Sequence, residues 1–366
     1  MEEKRYPRLI CDLGLLEHNV REVIGRCHAA GIRVAGVVKG ATALPPVVDC
    51  YVRGGSDQLA SSRIEQLERM KKAHPELPAM LIRVPMMSEL NRVACCCEYS
   101  LESDTAVLEA LDTACGRAGR RHKVVLMADL GDLREGWWDQ DELVAAALHV
   151  ERDLPNLELA GVGTNLGCYG AIVPTVEKME KLAGLACRVE EAVGHALEIV
   201  SGGASTSFLL VHQGRMPAKI NHLRIGETIL HGYDLQKLWG VTDMGYLSMD
   251  VFTLQAQVLE CRVKPTYPVG TIFKDAFGNT PVYTDRGLRR RALVGVGRVD
   301  VGDQSKLLPK DPGVTVLGGS SDHTILDVED CPRALKAGDV MEFALNYTPV
   351  LFLTDSTEVT VEYRGM

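Results

Sequence analysis

The sequence predicts an α/β protein that combines a (β/α)8 TIM barrel with a C-terminal all-β domain. Strand and helix signals alternate over the first two thirds of the chain, and only short strand signals follow Gly240. An open doubly wound sheet is disfavoured because no Gly-x-Gly-x-x-Gly turn follows the first strand. We therefore place a barrel domain at residues 1–238 and a β-domain at residues 239–366.

The elements of the barrel domain follow from hydrophobic periodicity and turn residues. Residues 15–30 carry apolar side chains at helical spacing, and Pro45-Pro46 favours a helix start because proline is tolerated in the first turn. The predicted strands are residues 8–12, 32–38, 58–60, 79–82, 98–101, 124–129, 157–163, 197–200 and 222–225. The predicted helices are residues 15–30, the segment from Pro45, residues 64–70, 87–94, 105–118 and 174–193, and a short segment after Ser205.

The C-terminal domain is predicted from short β-rich segments separated by Gly, Pro and Asp turns. No helix-length period appears among them, which favours an all-β domain. We expect the basic run Arg289-Arg290-Arg291 to border a solvated turn before a strand. The predicted strands are residues 253–263, 291–296, 315–317, 324–328, 340–343 and 358–363.

Composition limits the possible partners and the compartment. The net charge of −9 argues against a nucleic-acid partner, and no apolar run is long enough to span a membrane. The N-terminus lacks an apolar signal core, and the eleven cysteines show no paired metal spacing. We therefore expect a cytoplasmic protein without a metal site, in which Cys95-Cys96-Cys97 fill the core or lie near it.

Lys39 is the leading candidate for a chemical role. It closes the apolar strand 32–38, where an ammonium is costly to bury unless it has a use. If the strands close into one barrel, polar residues after the later strands meet Lys39 at a single mouth. An amine that loses its charge through burial can form a Schiff base with an aldehyde. The alternative is a lysine that extends to solvent, as most strand-terminal lysines do.

Two late loops favour a phosphate group at the same mouth. The segment 201–206 offers small residues with the hydroxyls of Ser205 and Thr206, and the segment 224–227 follows the next strand. Barrel enzymes often bind phosphate with these loops, although a plain strand-to-helix turn is the commoner meaning of such a motif. Together with Lys39, the loops suggest pyridoxal 5'-phosphate.

A third polar segment lies in the predicted β-domain. Residues 318–323 read Gly-Gly-Ser-Ser-Asp-His, which is unusually dense in polar side chains for a short connection. The sequence is compatible with two interpretations of this segment, a tight hairpin loop and a functional cluster.

The whole chain resembles the alanine/ornithine racemase family of pyridoxal-phosphate enzymes, which have an alanine racemase-like fold. The resemblance implies a head-to-tail homodimer in which each β-domain completes the active site of the partner. It rests on motifs at residues 34–39, 127–136, 163–170, 201–203, 223–227, 275–278, 297–300 and 320–323.

The resemblance assigns roles to individual residues. Lys39 would carry the cofactor and act as one proton-transfer base, and Arg224 would face the pyridine nitrogen. Arg134 would lie near the cofactor hydroxyl and the substrate carboxylate, unless it forms a structural salt bridge with Asp129 or Asp132. The phosphate ligands would be Gly203, Ser205, Thr206, Gly226, Glu227 and Tyr347.

The chain departs from the alanine racemase pattern at the second base. The tyrosine of the family's Gly-Tyr-x-Asp segment is replaced by Arg298, and arginine is a poor proton acceptor. Asn165 and Met127 stand where alanine racemase has a histidine and a lysine, and Ala204 replaces an asparagine of the ornithine branch. The candidates for the second base are Ser321, Asp322 and His323, and those for substrate contacts are Arg134, Asn165, Asp275 and Asp300.

The predicted activity is racemisation of a basic amino acid, ornithine or lysine first, by two-base transfer of the α-proton. Two alternatives stay open. One is a basic amino-acid decarboxylase of the same fold, in which a glutamate or aspartate typically stands where Arg224 is expected. The other is a non-catalytic protein that binds pyridoxal phosphate, although such proteins are single barrels.

Overall fold

The computed structural model describes residues 5–365, which include a closed barrel of eight parallel strands. The strands of the chain are β1 (Arg8–Asp12), β2 (Arg33–Val37), β3 (Gln58–Ser61), β4 (Ala79–Leu81), β5 (Tyr99–Glu102), β6 (His122–Met127), β7 (Leu157–Gly163), β8 (Ile199–Ser201), β9 (His222–Ile225), β10 (Phe252–Pro265), β11 (Leu288–Val294), β12 (Leu308–Pro309), β13 (Thr315–Gly319), β14 (Thr324–Asp327), β15 (Val340–Ala344) and β16 (Thr360–Arg364). The barrel contains β2 to β9 in chain order, and β9 closes it by pairing with β2.

Helices alternate with the barrel strands. The helices of the chain are α1 (Leu13–Ala29), α2 (Pro45–Arg53), α3 (Ile64–Ala73), α4 (Leu90–Cys96), α5 (Thr105–Ala118), α6 (Gln140–Asp153), α7 (Val176–Val193), α8 (Phe208–His212), α9 (Glu227–His231), α10 (Arg298–Val301) and α11 (Tyr347–Asp355). Short 3-10 turns occupy Lys39–Ala41, Met87–Glu89, Ser205–Ser207 and Gln304–Lys306, and a π-helical turn occupies Asp234–Leu238. Among the described residues, no helix is both long and apolar enough to span a membrane.

Alternate side chains of the barrel strands fill its interior. Successive strand residues point to opposite faces, so one set of positions on each strand packs together inside the barrel. This interior cluster contains Ala35, Val37, Ala60, Met80, Tyr99, Leu101, Val125, Met127, Ala160 and Ile199. Because side chains fill the interior, ligand chemistry is left to the loops at the strand ends.

The predicted (β/α)8 barrel is confirmed, and two of its helices, α6 and the short α9, were not predicted. Helix α6 begins after Asp139, whose carboxylate accepts the Asp141 amide at 2.7 Å. The side chains of Leu143, Ala147 and Val150 are buried, and their spacing is that of one helical face. The helical spacing is present in the sequence, but it lies between two strong strand patterns.

The predicted first strand does not belong to the barrel. Strand β1 pairs with β10 in antiparallel fashion and with β16 in parallel fashion. Residues Leu16–Ser248 form one compact unit, and the described residues before Leu16 join those from Met249 onward in a second unit. These limits differ from the domain boundaries placed at residues 1–238 and 239–366, because a strand pattern specifies a period and not a partner strand.

The second unit is β-rich, and its main sheet has the strand order β12-β15-β10-β11-β14-β13. It also contains helix α11, which was not predicted because the sequence shows no helical period there. The basic run Arg289–Arg291 lies within β11, which begins at Leu288, earlier than the strand predicted from residue 291. Arg289 donates to Asp327 Oδ2 at 2.7 Å, so the basic run is neutralised on a neighbouring strand.

Candidate functional site

Lys39 lies at the carboxyl end of β2, where it begins a 3-10 turn. The Thr42 amide donates to the Lys39 carbonyl, and Thr42 and Ala43 both adopt left-handed backbone conformations with φ of 46° and 53°. The chain therefore turns sharply and leaves the partly buried Lys39 side chain at the barrel mouth. Burial lowers the pKa of the Lys39 ammonium, while the nearby Cys168 opposes this shift. The site thus favours a neutral amine more than water does.

Arg224 is held rigidly on β9, the strand beside β2. Its side chain is 4% exposed, and it donates to Ser201 Oγ at 2.5 Å and to the Thr164 carbonyl at 2.8 Å. Burial lowers the pKa of Arg224 to about 10, which leaves the guanidinium charged at neutral pH. Ser201 Oγ also lies 2.8 Å from His222 Nδ1, and burial holds the pKa of His222 well below its usual value.

The two late loops pack against each other as the sequence predicts. Ser205 Oγ accepts the amides of Gly226 at 3.3 Å and Thr228 at 3.2 Å, so one hydroxyl joins both loops. Thr206 Oγ1 donates to the Leu166 carbonyl at 2.9 Å, which ties the same cluster to the loop after β7. Ser205 and Thr206 are therefore brought together with Gly226, although both hydroxyls already have protein partners.

Two glycines keep this loop cluster compact. Gly203 has a φ of +118°, and a Cβ there would lie 2.7 Å from Ser207 Oγ. A Cβ on Gly226 would lie 2.8 Å from the Val37 carbonyl oxygen, two residues before Lys39. Only glycine allows the backbone of residues 224–227 to approach the Lys39 strand this closely.

Glu227 follows Gly226 and is partly buried. Burial raises the pKa of the Glu227 carboxyl, and the neighbouring Asp234 raises it further, while Lys39 lowers it. Asp234 is itself buried, where its Oδ2 accepts the Thr228 hydroxyl at 2.7 Å. The neutral form of Glu227 is therefore favoured.

Arg134 forms an ion pair, but the predicted partners were wrong. Its guanidinium pairs with the adjacent Glu135 and not with Asp129 or Asp132. Asp129 instead accepts the Gly131 amide at 2.8 Å and the Leu133 amide at 3.2 Å. The Glu135 carboxylate, through its hydrogen bond, raises the pKa of Arg134, so this exposed cation is permanently charged near the mouth.

Asp132 organises the loop that follows β7. It is 1% exposed, and its carboxylate accepts the amides of Gly167 at 3.1 Å, Tyr169 at 3.0 Å and Ile172 at 3.4 Å. Three amide donors replace the water that a buried carboxylate loses. Asp132 therefore acts as a structural anchor and fixes the backbone on both sides of Cys168.

Asn165 is a buried amide with an unmet hydrogen bond. Its residue is 8% exposed, and its Nδ2 has no partner in the described part of the chain. A Cβ built on Gly163 would lie 3.2 Å from the Sδ of Met127, which packs inside the barrel, so position 163 faces inward. The Thr164 amide donates to the Ser201 carbonyl and continues the pairing of β7 with β8. Strand alternation then turns Asn165 toward the mouth. An orphaned donor there fits a site for a polar ligand.

The candidates of the second unit form a cluster of their own. A Cβ on Gly297 would lie 2.0 Å from the Ser321 carbonyl oxygen, and the Arg298 amide donates to the Ser320 carbonyl at 3.1 Å. Asp300 accepts the Gly297 amide at 2.9 Å. Segment 297–300 thus packs directly on the loop that carries the exposed Ser321, Asp322 and His323.

The same unit holds two further predicted residues. The Arg298 guanidinium lies 4.2 Å from the ring centroid of Phe277, and Asp275 accepts the Phe277 amide at 2.9 Å. Asp275 therefore belongs with Arg298 and Asp300. Tyr347 begins helix α11 in this unit, and its predicted role as a phosphate ligand stays a prediction.

One residue of the mouth was missed. Cys168 is exposed and interacts electrostatically with Lys39 and Arg134, which follow two different strands, and with Arg224, which lies on a third. A lone cysteine among eleven carries no periodic or spacing signal that would have identified it.

Comparisons with known proteins agree with this architecture. The family model described as alanine racemase, N-terminal domain, matches residues 11–234. A lysine racemase from Thermotoga maritima is 39% identical over 359 residues, which is 98% of this chain and 99% of that protein. An ornithine racemase from Acetoanaerobium sticklandii is 36% identical over 346 residues, which is 94% of this chain and 96% of that protein.

Solved structures share the fold at low identity. The alanine racemase from D-cycloserine producing Streptomyces lavendulae has a TM-score of 0.72 at 18% identity and covers 100% of this chain and 98% of its own. The D-threonine aldolase from Filomicrobium marinum has a TM-score of 0.71 at 17% identity, with 94% and 89% covered. Such likeness establishes the fold, which racemases and an aldolase share.

A parallel barrel with a lysine at its mouth and an attached β-rich unit defines the class. The chain belongs to the family of the alanine racemase N-terminal domain. The family and the fold predicted from the sequence are both confirmed.

Proposed function

We propose that this chain is a pyridoxal 5'-phosphate-dependent racemase that interconverts the L and D forms of a basic amino acid, ornithine or lysine. The main observation behind the proposal is that two residues, Lys39 and Arg224, share one barrel mouth. Lys39 is biased toward its neutral amine, and Arg224 is fixed by Ser201 and Thr164 on an adjacent strand. Relatives with 36% and 39% identity over nearly the full length support the racemase activity and the choice of substrates.

The mouth fits the proposed cofactor. Gly226 and Gly203 leave backbone where a Cβ would collide, and the amides of Gly226 and Thr228 converge on Ser205 Oγ as anion-binding amides do. The phosphate would be held by this cluster, with Thr206 and the Glu227 backbone beside it. When bound, the cofactor withdraws electron density from the substrate's α-carbon and so acidifies its proton.

The chain's own residues then control proton transfer. Lys39, as a neutral amine, accepts a proton at Nζ and returns it as an ammonium. Arg224 would face the pyridine nitrogen as a cation that does not release its proton at working pH, which moderates the electron withdrawal. Arg134 and Asn165 would orient the substrate carboxylate, since one offers a fixed positive charge and the other an unmet donor.

The second unit would complete the site of a neighbouring copy. We include in the proposal a head-to-tail homodimer, in which Tyr347 reaches the partner's phosphate loops. The carboxylates of Asp275 and Asp300 would then bind the substrate's side-chain ammonium, and their position in one cluster with Arg298 supports a shared task. A cytoplasmic location, without a nucleic-acid or membrane partner, is part of the same proposal.

The decisive experiment offers pure L- and D-amino acids to purified holoprotein and resolves the products by chiral chromatography. We expect interconversion of ornithine or lysine in both directions, with alanine as a comparison substrate. Release of carbon dioxide from ornithine or lysine would instead indicate a decarboxylase. A protein that binds the cofactor but exchanges no α-proton in deuterated water would indicate the non-catalytic alternative.

A further inference from the structure

Inversion at the α-carbon needs a proton-transferring group on each side of the substrate, and Lys39 provides one of them. We propose that Cys168 is the second proton-transferring residue of this site, an inference that rests on the proposed racemase activity. It places the second group in the same unit as Lys39, as an alternative to Ser321, Asp322 or His323 of the second unit.

The barrel topology places Lys39 and Cys168 on different sides of the mouth. Lys39 follows β2 and Cys168 lies on the loop that follows β7, and two strands, β8 and β9, separate β7 from β2 around the closed barrel. Arg224 lies on β9, beside β2, and Glu227 follows β9, so both lie on the Lys39 side. A substrate held between the two sides would present opposite faces of its α-carbon to Lys39 and Cys168.

The backbone around Cys168 is fixed rather than loose. The Asp132 carboxylate accepts the amides of Gly167 and Tyr169, the residues immediately before and after Cys168, at 3.1 and 3.0 Å. Thr206 of the phosphate-loop cluster donates to the Leu166 carbonyl at 2.9 Å. Anchors on both sides hold the thiol at a constant distance from the proposed cofactor site, as proton transfer requires.

The surroundings of Cys168 leave it suited to acid–base work. Its thiol is exposed and interacts electrostatically with Lys39, Arg134 and Arg224. Arginines keep their protons at working pH, and Glu135 is tied to Arg134 in an ion pair. A thiol has a proton to give, and the thiolate that remains can take one up.

A second observation on the same loop points to a ligand. Asn165 lies three positions before Cys168, is more than nine-tenths buried, and has an Nδ2 without a partner in the described chain. Strand alternation directs this amide into the mouth. A substrate carboxylate bound there would place the adjoining α-carbon between Lys39 and the Cys168 loop.

The proton balance of one inversion is simple. Lys39 takes the α-proton from one face as a neutral amine and becomes an ammonium, and the Cys168 thiol gives its proton to the other face and becomes a thiolate. The reverse reaction starts from these final states, with Lys39 as an ammonium and Cys168 as a thiolate. For another turnover in the same direction, Lys39 releases one proton to solvent and Cys168 takes one up.

The test compares Cys168→Ser with Cys187→Ser in holoprotein. The control residue is an exposed cysteine on α7 that has no proposed role. We expect Cys168→Ser to lower racemisation by about 10²- to 10⁴-fold, the usual contribution of one acid–base group, while Cys187→Ser keeps the wild-type rate. In deuterated water, the Cys168→Ser variant should exchange the α-proton of one enantiomer and lose exchange of the other.

A second measurement does not depend on variant activity. Iodoacetamide should alkylate both Cys168 and Cys187 in the wild-type holoprotein, and mass spectrometry should show that bound ornithine protects Cys168 alone. A Cys168→Ser variant that racemises at the wild-type rate, or that exchanges both enantiomers, would overturn the assignment. Single-enantiomer exchange in His323→Gln but not in Cys168→Ser would assign the role to the second unit.

Failure of the underlying proposal has a separate signature. If the wild-type holoprotein neither racemises nor exchanges any tested amino acid, the racemase function is wrong, and the Cys168 assignment falls with it. If wild type racemises and Cys168→Ser behaves identically, only the Cys168 assignment is wrong.

Discussion

The guanidinium of Arg224 and the hydroxyl of Ser201 are joined by a 2.5 Å hydrogen bond across neighbouring strands β9 and β8 of the barrel. A second bond to the Thr164 carbonyl, at the end of β7, completes the support of this buried cation. Neither acceptor carries a charge, so these two hydrogen bonds do not neutralise the buried Arg224 cation. A protein retains such a cation at a cost in stability, which is typical of a functional site.

Replacement of Arg224 by glutamine should therefore separate activity from stability. We expect racemisation to fall by about 10²-fold, because a fixed charge at the site is lost. The free energy of unfolding should change by only about 1 kcal/mol, since the loss of hydrogen bonds is offset by the removal of a buried charge. Chiral chromatography and urea unfolding measure the two quantities. The exposed Arg215→Gln is the control, and a large loss of stability without loss of activity would contradict this view of Arg224.

Lys39 should be chemically distinct from surface lysines even without cofactor. Because burial lowers its pKa, the neutral and nucleophilic form of Lys39 is populated at a lower pH than that of an exposed lysine. Reductive methylation with formaldehyde near pH 7, followed by mass spectrometry, should modify Lys39 before the exposed Lys181. In activity assays, Lys39→Ala should abolish racemisation while Lys181→Ala retains it. Full activity of Lys39→Ala without an added amine would refute its role.

Much of the barrel could be predicted because its local signals are strong. Helix Thr105–Ala118 and strands Leu157–Gly163 and His222–Ile225 have the limits that periodicity and turn residues indicate. Strand β1 was assigned to the wrong sheet, because alternation of side chains does not identify the strand with which it pairs. Helix α11 was missed because its apolar residues surround it rather than form one face.

The site was predictable only where a motif stands near a strand end. Lys39 and the segment 201–206 were found in this way, and the structure brings Ser205 to Gly226 as expected. The ion pair of Arg134 with Glu135 was missed because the sequence offered three nearby acidic residues without a geometric choice among them. The unmet amide of Asn165 and the surroundings of Cys168 depend on contacts between distant loops, which no local pattern contains.

A buried acid in the barrel wall should make stability depend on pH. Glu102 is 0% exposed, and burial raises the pKa of its carboxyl to about 8. The unfolded chain releases this proton near pH 4.5 while the folded chain keeps it, so the free energy of unfolding should fall as pH rises from about 4.5 to 8. The slope from this group is at most about 1.4 kcal/mol per pH unit.

Glu102→Gln should remove that slope. Burial lowers the pKa of the neighbouring His122 to about 4, so His122 is neutral in the folded chain above pH 6.5. Glu227, whose pKa burial also raises to about 8, titrates in the same range, so the difference between the wild-type and Glu102→Gln profiles in urea unfolding between pH 6.5 and 8 isolates Glu102. The variant should gain stability relative to wild type as pH rises through this window, and the exposed Glu142→Gln should not. Parallel pH profiles for wild type and Glu102→Gln would contradict the expectation.

The contact between the loop 224–227 and the Lys39 strand should not tolerate a side chain at Gly226. An alanine Cβ would lie 2.8 Å from the Val37 carbonyl oxygen and 3.0 Å from Val37 Cβ, so α9 must move away from β2. We expect Gly226→Ala to weaken cofactor binding by about 10-fold or more, since overpacking of this kind typically costs about 1–3 kcal/mol. Absorbance titration of cofactor-free protein with pyridoxal 5'-phosphate measures the dissociation constant. Gly245→Ala is the matched control because a Cβ there meets nothing within 4 Å, and equal affinities for the two variants would show that the glycine does not set the geometry of this loop.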